Sequence, residues 1–185
     1  MQTAAVILAA GASTRFGSAK QLAPIGDRTM LATVVDLARE AGLDPILVVV
    51  PPGIAVPPDA VPVVNLRPEA GLSRSLRMGI AAVPAEIDAA MVLLGDQPTL
   101  APATIRAVLE AGRNGRPVIA ARAAGRLGPP VLIRRDAFEL AHDAIGDEGL
   151  RSVLLTRPEL VTPLDVPAHA PDVDTPADLE RLSWG

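Results

Sequence analysis

The chain has 185 residues, 49% of them hydrophobic, which is enough for a sizeable core, and a single domain over residues 1–185 is expected. Its net charge of -4, its scattered arginines and its few aromatics (Phe16, Phe138 and Trp184) leave neither a basic stripe nor a row of base-stacking rings, which argues against nucleic acid as a partner. The lack of cysteine excludes disulfides, thiolate nucleophiles, iron-sulfur clusters and cysteine-type zinc sites; the start at Met1-Gln2-Thr3, without a basic leader, and the lack of any apolar run of membrane-spanning length point to a cytoplasmic protein with no membrane partner.

Along the chain, short β-branched apolar runs alternate with helical patterns. Residues 4–9 read as a strand buried on both faces. Met30, Leu31, Val34, Val35, Leu37, Ala38 and Ala41 recur at helical spacing, with Gly42 placed to end that helix. Further buried strands are expected at 46–50, 61–64, 90–94 and 118–121, and helices at 73–83, at about 102–112 and at 137–144 behind the capping candidate Asp136. Residues 131–133 and 160–164 read as later strands, with an antiparallel setting open for one of them. The 19 prolines gather in connections and mark no domain linker. Such alternation predicts an α/β fold, a mostly parallel sheet with helices on both faces.

In an open sheet of this kind ligands bind at the carboxyl ends of the strands, so chemistry is sought just after each one. The loop after the first strand runs from Ala10 to Lys20, and Lys20 is the only lysine in a chain whose Lys and Arg together number 17. An ammonium is a point charge that can enter between phosphate oxygens from any direction, unlike the flat guanidinium fork. The loop is not a P-loop, because Lys20 does not directly follow the glycine and no Ser or Thr follows it; Gly11-Ala12-Ser13 also breaks the dinucleotide fingerprint G-x-G-x-x-G. What remains is a small-residue loop whose N–H groups can approach a ligand closely, with Arg15 and Lys20 as two cations suited to a triphosphate.

Asp96, in Leu94-Gly95-Asp96-Gln97-Pro98, leaves an apolar strand in a tight turn, where a carboxylate either serves the turn or holds Mg2+ against nucleotide phosphates. Thr175, Pro176 and Asp178 read as N-cap, first-turn proline and capping-box acid of the last helix. Asp172 and Asp174 share a face in an extended run, which lets one or both join Asp96 at a metal. The segment from Asn65 through Gly71, Ser73 and Ser75 is a turn followed by a helix start that can read a nucleobase edge, although Ser73 is read as a plain N-cap. His142 and His169 lack a Cys or His partner at metal spacing and read as surface residues, and there is no Gly-x-Ser-x-Gly elbow for a hydrolase serine.

Five stretches taken together resemble the molybdenum cofactor cytidylyltransferases, a branch of the MobA-like nucleotidyltransferases: Leu8-Ala9-Ala10-Gly11-x-Ser13-x-Arg15-x-Gly17-x-x-Lys20, Asn65 with Gly71-Leu72-Ser73-x-Ser75-Leu76, Gly95-Asp96-Gln97-Pro98, Gly146-Asp147-x-Gly149-x-Arg151 and Asp172-Val173-Asp174-Thr175-Pro176. The resemblance implies a three-layer Rossmann-like nucleotidyltransferase fold and transfer of CMP from CTP to the terminal phosphate of a molybdopterin-type cofactor, with a molybdoenzyme or its chaperone as a further partner. It implies that Arg15 and Lys20 hold the triphosphate, that Asp96 and Asp174 ligate Mg2+, and that the backbone from Leu8 to Gly11 with Asn65 and the 71–75 segment receives the base. It also implies that Ala10, where guanylyltransferases of the superfamily carry glycine, puts a methyl group where a purine needs room. Gly128-Pro129-Pro130-Val131 departs from the family pattern, and Pro129 offers the acceptor no side-chain hydrogen bond. Two alternatives stand beside this reading. One is a guanylyltransferase using GTP, or an enzyme for another phosphorylated acceptor. The other, of a different class, is a nucleotide-binding oxidoreductase or a non-catalytic cofactor chaperone; the missing G-x-G-x-x-G weighs against the oxidoreductase, and the Arg15, Lys20, Asp96 and Asp174 set weighs against the chaperone.

Overall fold

In a computed structural model describing residues 1–11, 16–168 and 170–182, the first apolar run forms β1 (Thr3–Leu8), all six residues of it buried. Both neighbours of β1 run parallel to it: β4 (Ile46–Val50), with Ala5 opposite Ile46, and β6 (Ala89–Leu94), with Thr3 opposite Ala89. Between β1 and β4 lie the two-residue strands β2 (Pro24–Ile25) and β3 (Arg28–Thr29), a hairpin around Gly26 that the sequence pattern does not announce, and α1 (Met30–Glu40). Helix α1 starts on Thr29, whose hydroxyl accepts the Ala32 N–H. It ends as expected at Gly42, whose φ of 85° lets the Gly42 N–H reach the Arg39 carbonyl and the Leu43 N–H reach that of Ala38.

The strand β5 (Val61–Val64) pairs with β4 alone. It was expected to be buried on both faces, but as the edge of the sheet it leaves Val61 and Val64 exposed. Pro62 is tolerated there because no neighbouring strand needs its N–H. Beyond β6 the order continues through β8 (Arg126–Arg134), β7 (Val118–Ala123) and β9 (Val161–Asp165), so the sheet reads β5-β4-β1-β6-β8-β7-β9. Only β8 runs against its neighbours, because it returns from β7 through Ala124 and Gly125; both have positive φ, as a two-residue turn of matching twist requires. The ladder slips between Ala120, opposite Val131, and Ala121, opposite Gly128, so Pro129 and Pro130 bulge out of it.

Two hydrophobic layers sandwich this sheet. Leu31, Val34, Val35 and Ala38 of α1, with Ile105 and Val108 of α3 (Pro102–Gly112), cover the face bearing Ala5, Ile7, Val48 and Met91. Leu76 and Ile80 of α2 (Leu72–Ala81), with Val153 and Leu154 of α4 (Leu150–Thr156), cover the face bearing Val6, Leu8, Val49 and Val92. The fold is thus the expected α/β arrangement with helices on both faces. Two local expectations change. The helix read at 137–144 is a 3-10 stretch, Arg135–Asp143, in which Leu140 and Ala141 still face the core. Helix α4 was not foreseen, since only seven residues form it behind Gly149. Among the described residues no helix is long and apolar enough to cross a membrane.

Candidate active site

The chain leaves β1 outward to β4 and β5 and then returns to β6 on the other side of β1, so the strand order reverses between β1 and β6. A crevice opens at the carboxyl ends of two such strands, and here it receives the loop after β1 and the turn after β6. The two strand ends are pressed together: the Gly95 N–H donates to the Leu8 carbonyl at 2.9 Å, and a Cβ on Gly95 would stand 2.7 Å from the Ala9 methyl. Glycine is therefore needed there for packing, and it delivers Asp96 directly to the crevice.

Lys20 and Gln21 arrive on one 3-10 turn, Lys20–Leu22. The Lys20 ammonium donates to Asp96 Oδ2 at 2.7 Å, to Asp174 Oδ1 at 3.1 Å and to the Val173 carbonyl at 3.2 Å. Burial of Lys20 works against its charge, but the hydrogen bonds and charges of Asp96 and then Asp174 outweigh it, and the pKa lies above the ordinary lysine value. Asp174 is brought in by the C-terminal segment. Buried Val173 donates its N–H to the Asp96 carbonyl at 2.9 Å and packs with Met30 and Ala23, which turns Asp172 and Asp174 together to the other side. The last helix, α5 (Pro176–Leu182), starts as expected: the Thr175 hydroxyl accepts the Asp178 N–H at 3.2 Å and Asp178 Oδ2 accepts the Thr175 N–H at 2.9 Å. This capping box occupies Asp178 and leaves the carboxylate of Asp174 directed to Lys20.

Among the described residues Asp96 Oδ1 is buried without a hydrogen-bond partner, an arrangement that costs free energy unless a cation or donor meets it. Two carboxylates, one with an unmet oxygen, fit a small hard cation that takes its other oxygens from phosphates and water. Among the described residues there is no group of three or more acidic, His or Cys ligands, so Asp96 and Asp174 could hold a cation only in that shared manner. Asp172 stands beside them, its carboxylate accepting from Gln97 Nε2 at 2.9 Å. Desolvation raises its pKa, the Gln97 bond lowers it, and the charges of Asp96 and Asp174 raise it again; the net direction is upward.

The loop itself is held from behind. Gln21, 3% exposed, donates from Nε2 to the carbonyls of Ala9 at 2.7 Å and Gly11 at 3.2 Å. Among the described residues a Cβ on Gly11 would meet nothing within 4 Å, in contrast to Gly95. Ala10 is buried in the cluster formed with Leu8 and Leu76, on the α2 side of the sheet. Arg15, with Ala12, Ser13 and Thr14, and likewise His169, falls outside the described residues. His142 is exposed, as read.

In the 65–75 segment the expected N-cap changes place. Asn65 is fully buried: Nδ2 donates to Ser75 Oγ at 3.1 Å, and Oδ1 accepts the Arg67 N–H and Arg74 Nε, each at 3.0 Å. Ser73 is not the N-cap; Gly71 holds that position and Ser73 is the second helical residue, buried like Ser75. Nothing in the pattern of hydroxyls distinguishes a capping serine from one a residue inside the helix. These side chains brace the start of α2, and Gly71 is pressed against the next loop, where a Cβ would lie 2.8 Å from the Gly146 carbonyl carbon. Beside this contact opens a cleft of about 820 Å³, lined by Leu72, Leu94, Gln97, Arg126, Pro129 and Arg151 among others. The sequence reading missed Gln21 and Gln97 as site residues. Their signal was a long polar side chain set beside a candidate charge, Lys20 in one case and Asp96 in the other.

Comparison with known proteins bears on the fold and the family. Rv0371c from Mycobacterium tuberculosis H37Rv is 31% identical, with a TM-score of 0.83 over 100% of this chain and 99% of that one. Its complex with manganese matches at 30% identity and a TM-score of 0.82 over the whole of both chains. A nucleotidyl transferase from Methanothermobacter (23% identical, TM-score 0.79, 99% of this chain and 96% of that one) shares the fold. So does a CMP:2-keto-3-deoxy-manno-octonic acid synthetase complexed with CTP (18%, TM-score 0.77, 100% and 98%). No curated protein sequence matches the chain. Residues 5–167 match the MobA-like NTP transferase domain, and the chain belongs to that family of nucleotidyltransferases.

Proposed function

We propose that the chain transfers CMP from CTP to the terminal phosphate of a molybdopterin-type cofactor and releases pyrophosphate, with a molybdoenzyme or its chaperone receiving the product. The observation that carries this reading is the meeting of Lys20, Asp96 and Asp174 at the switch point between β1 and β6, with their neighbours Gln97 and Asp172 in the wall of a cleft that has room for a second substrate.

Such a transfer needs no protein nucleophile. An oxygen of the acceptor phosphate attacks the α-phosphorus in line, the bond from that phosphorus to the oxygen bridging the β-phosphate breaks, and pyrophosphate leaves with the electron pair. The protein's part is to hold two anions in line and offset the charge gathering on the leaving side. Lys20 and Arg15 supply that positive charge, and the loop from Leu8 to Gly11 with the backbone of residues 71–75 receives the nucleoside. Asp96 and Asp174 would hold Mg2+. Such a cation, when bound, offsets the charge on the phosphate oxygens. Arg126 and Arg151 line the cleft and suit an anionic acceptor.

Manganese is bound by the Mycobacterium tuberculosis relative, in keeping with a divalent cation here. The choice of CTP rests on the Leu8-Ala9-Ala10-Gly11 resemblance. The test is incubation of the protein with Mg2+, a molybdopterin-type cofactor and each of the four NTPs in turn, with detection of pyrophosphate. CTP should give acceptor-dependent release. A preference for GTP would reassign the base, and release that ignores the cofactor with every nucleotide would remove the acceptor.

A further inference from the structure

Gln21 has no part in the function described so far, yet it is among the most buried polar residues of those described, and its Nε2 donates twice to the loop after β1. Its two acceptors, the carbonyls of Ala9 and Gly11, bracket Ala10. A peptide carbonyl held from one side fixes the plane of its peptide, so two held carbonyls set the direction of the Ala10 and Gly11 backbone and of the Ala10 methyl. The Ala9 N–H is tied to the Val49 carbonyl at 2.9 Å, so the loop is anchored at β4 before Gln21 takes hold of it. The same 3-10 turn that sends Lys20 to Asp96 and Asp174 thus sends Gln21 to the other end of the nucleotide site.

We propose that Gln21 is a positioning residue for nucleotide choice: by clamping the carbonyls of Ala9 and Gly11 it holds the Ala10-Gly11 backbone against the incoming nucleoside in one geometry, so that bases of different size are told apart. This rests on the reading of the 8–11 loop as the nucleoside subsite. A loop free to shift by a fraction of an ångström accommodates either base, whereas a clamped one rejects the base that does not fit.

The experiment measures dissociation constants of CTP and GTP, each with Mg2+, for the full chain and for Gln21→Met and Gln21→Glu, by competition against a fluorescent nucleotide. Methionine keeps the volume without a donor, and glutamate keeps the shape while setting a carboxylate against two carbonyls. A ratio of affinities does not depend on how much of a variant is folded, so it separates positioning from general destabilisation. The ratio in both variants should move toward one by roughly threefold to tenfold, the scale set by losing one or two neutral hydrogen bonds. An unchanged ratio, whether or not both affinities fall together, overturns the proposal. A wild type that prefers GTP refutes the cytidylyl reading but leaves Gln21 to be judged on whether that preference narrows. A wild type that binds neither nucleotide refutes both.

Discussion

Lys20 Nζ stands 2.7 Å from Asp96 Oδ2 while reaching Asp174 Oδ1 at 3.1 Å, so one ammonium bridges the two carboxylates that flank the candidate reaction centre and offsets only part of their charge. The lysine is 12% exposed, and it is therefore part of the packing of the site as well as a charge within it. Lys20→Ala should abolish transfer, since the phosphates lose their cation, and Lys20→Arg should also be poor because a planar fork cannot occupy the same point. Lys20→Ala should also cost about 1 to 3 kcal/mol of stability by leaving two partly buried carboxylates side by side, which urea unfolding will measure. Lys20→Met should bind Mn2+ without nucleotide at least about tenfold more tightly than wild type in a spin-resonance titration, because the ammonium's charge opposes a second cation beside the same two carboxylates. Near-normal turnover by Lys20→Arg would refute the point-charge argument.

The composition gives the same residue a private pH window. With no tyrosine, no cysteine and one lysine, the chain has a single side chain that titrates between about pH 9 and 12. The folded pKa of Lys20 is raised, so the stability its ion pair contributes is fully present below the unfolded lysine value of about 10.4 and is lost as pH rises through the higher folded value. Thermal unfolding of wild type and Lys20→Met scanned across this range should converge at the alkaline end. Curves that stay parallel would mean that the ion pair contributes nothing to folding.

Asp96→Asn should lower divalent-cation-dependent turnover by orders of magnitude, because the amide keeps the shape and removes the anionic ligand from a position where one oxygen lacks a partner among the described residues. Asp174→Asn should do likewise if both bind the metal. Should Asp174→Asn retain wild-type dependence on the cation while Asp96→Asn loses it, Asp174 serves only to hold Lys20.

The strand β1, the helix α1, the Gly95 turn and the Thr175-Asp178 capping box were legible in the sequence because each is a local pattern: an apolar run, a helical period, a turn after a strand, a cap spacing. The same is true of Gly42, whose place after the last apolar position of α1 predicts its turn. What was not legible depends on contacts far apart along the chain. The burial of Asn65 requires α2 to fold back on it, and the grip of Gln21 on Ala9 requires a turn that no short-range pattern specifies. The exposure of β5 follows from its place at the edge, and strand order is not written in the apolar character of Val61, Val63 and Val64.

Ala10 carries the base preference in the resemblance, and its setting refines how that works. The residue is 3% exposed and packs with Leu8 and Leu76, so its methyl faces the α2 layer, the side on which the 71–75 segment begins. A nucleoside lying between the loop and that segment would meet this methyl, and one methyl clash in a tight site costs about 1 to 3 kcal/mol, enough for roughly tenfold or greater discrimination against the larger base. CTP should therefore outperform GTP, and Ala10→Gly should narrow the ratio of their kcat/KM values without reversing it if the α2 backbone also reads the pyrimidine. The variant also loses a buried methyl group and gains backbone freedom, which together cost about 1 to 2 kcal/mol, so the ratio and not the absolute rate is the measurement that decides. A ratio that stays fixed in Ala10→Gly removes the methyl as the cause of selectivity, and a wild type that favours GTP removes the selectivity itself.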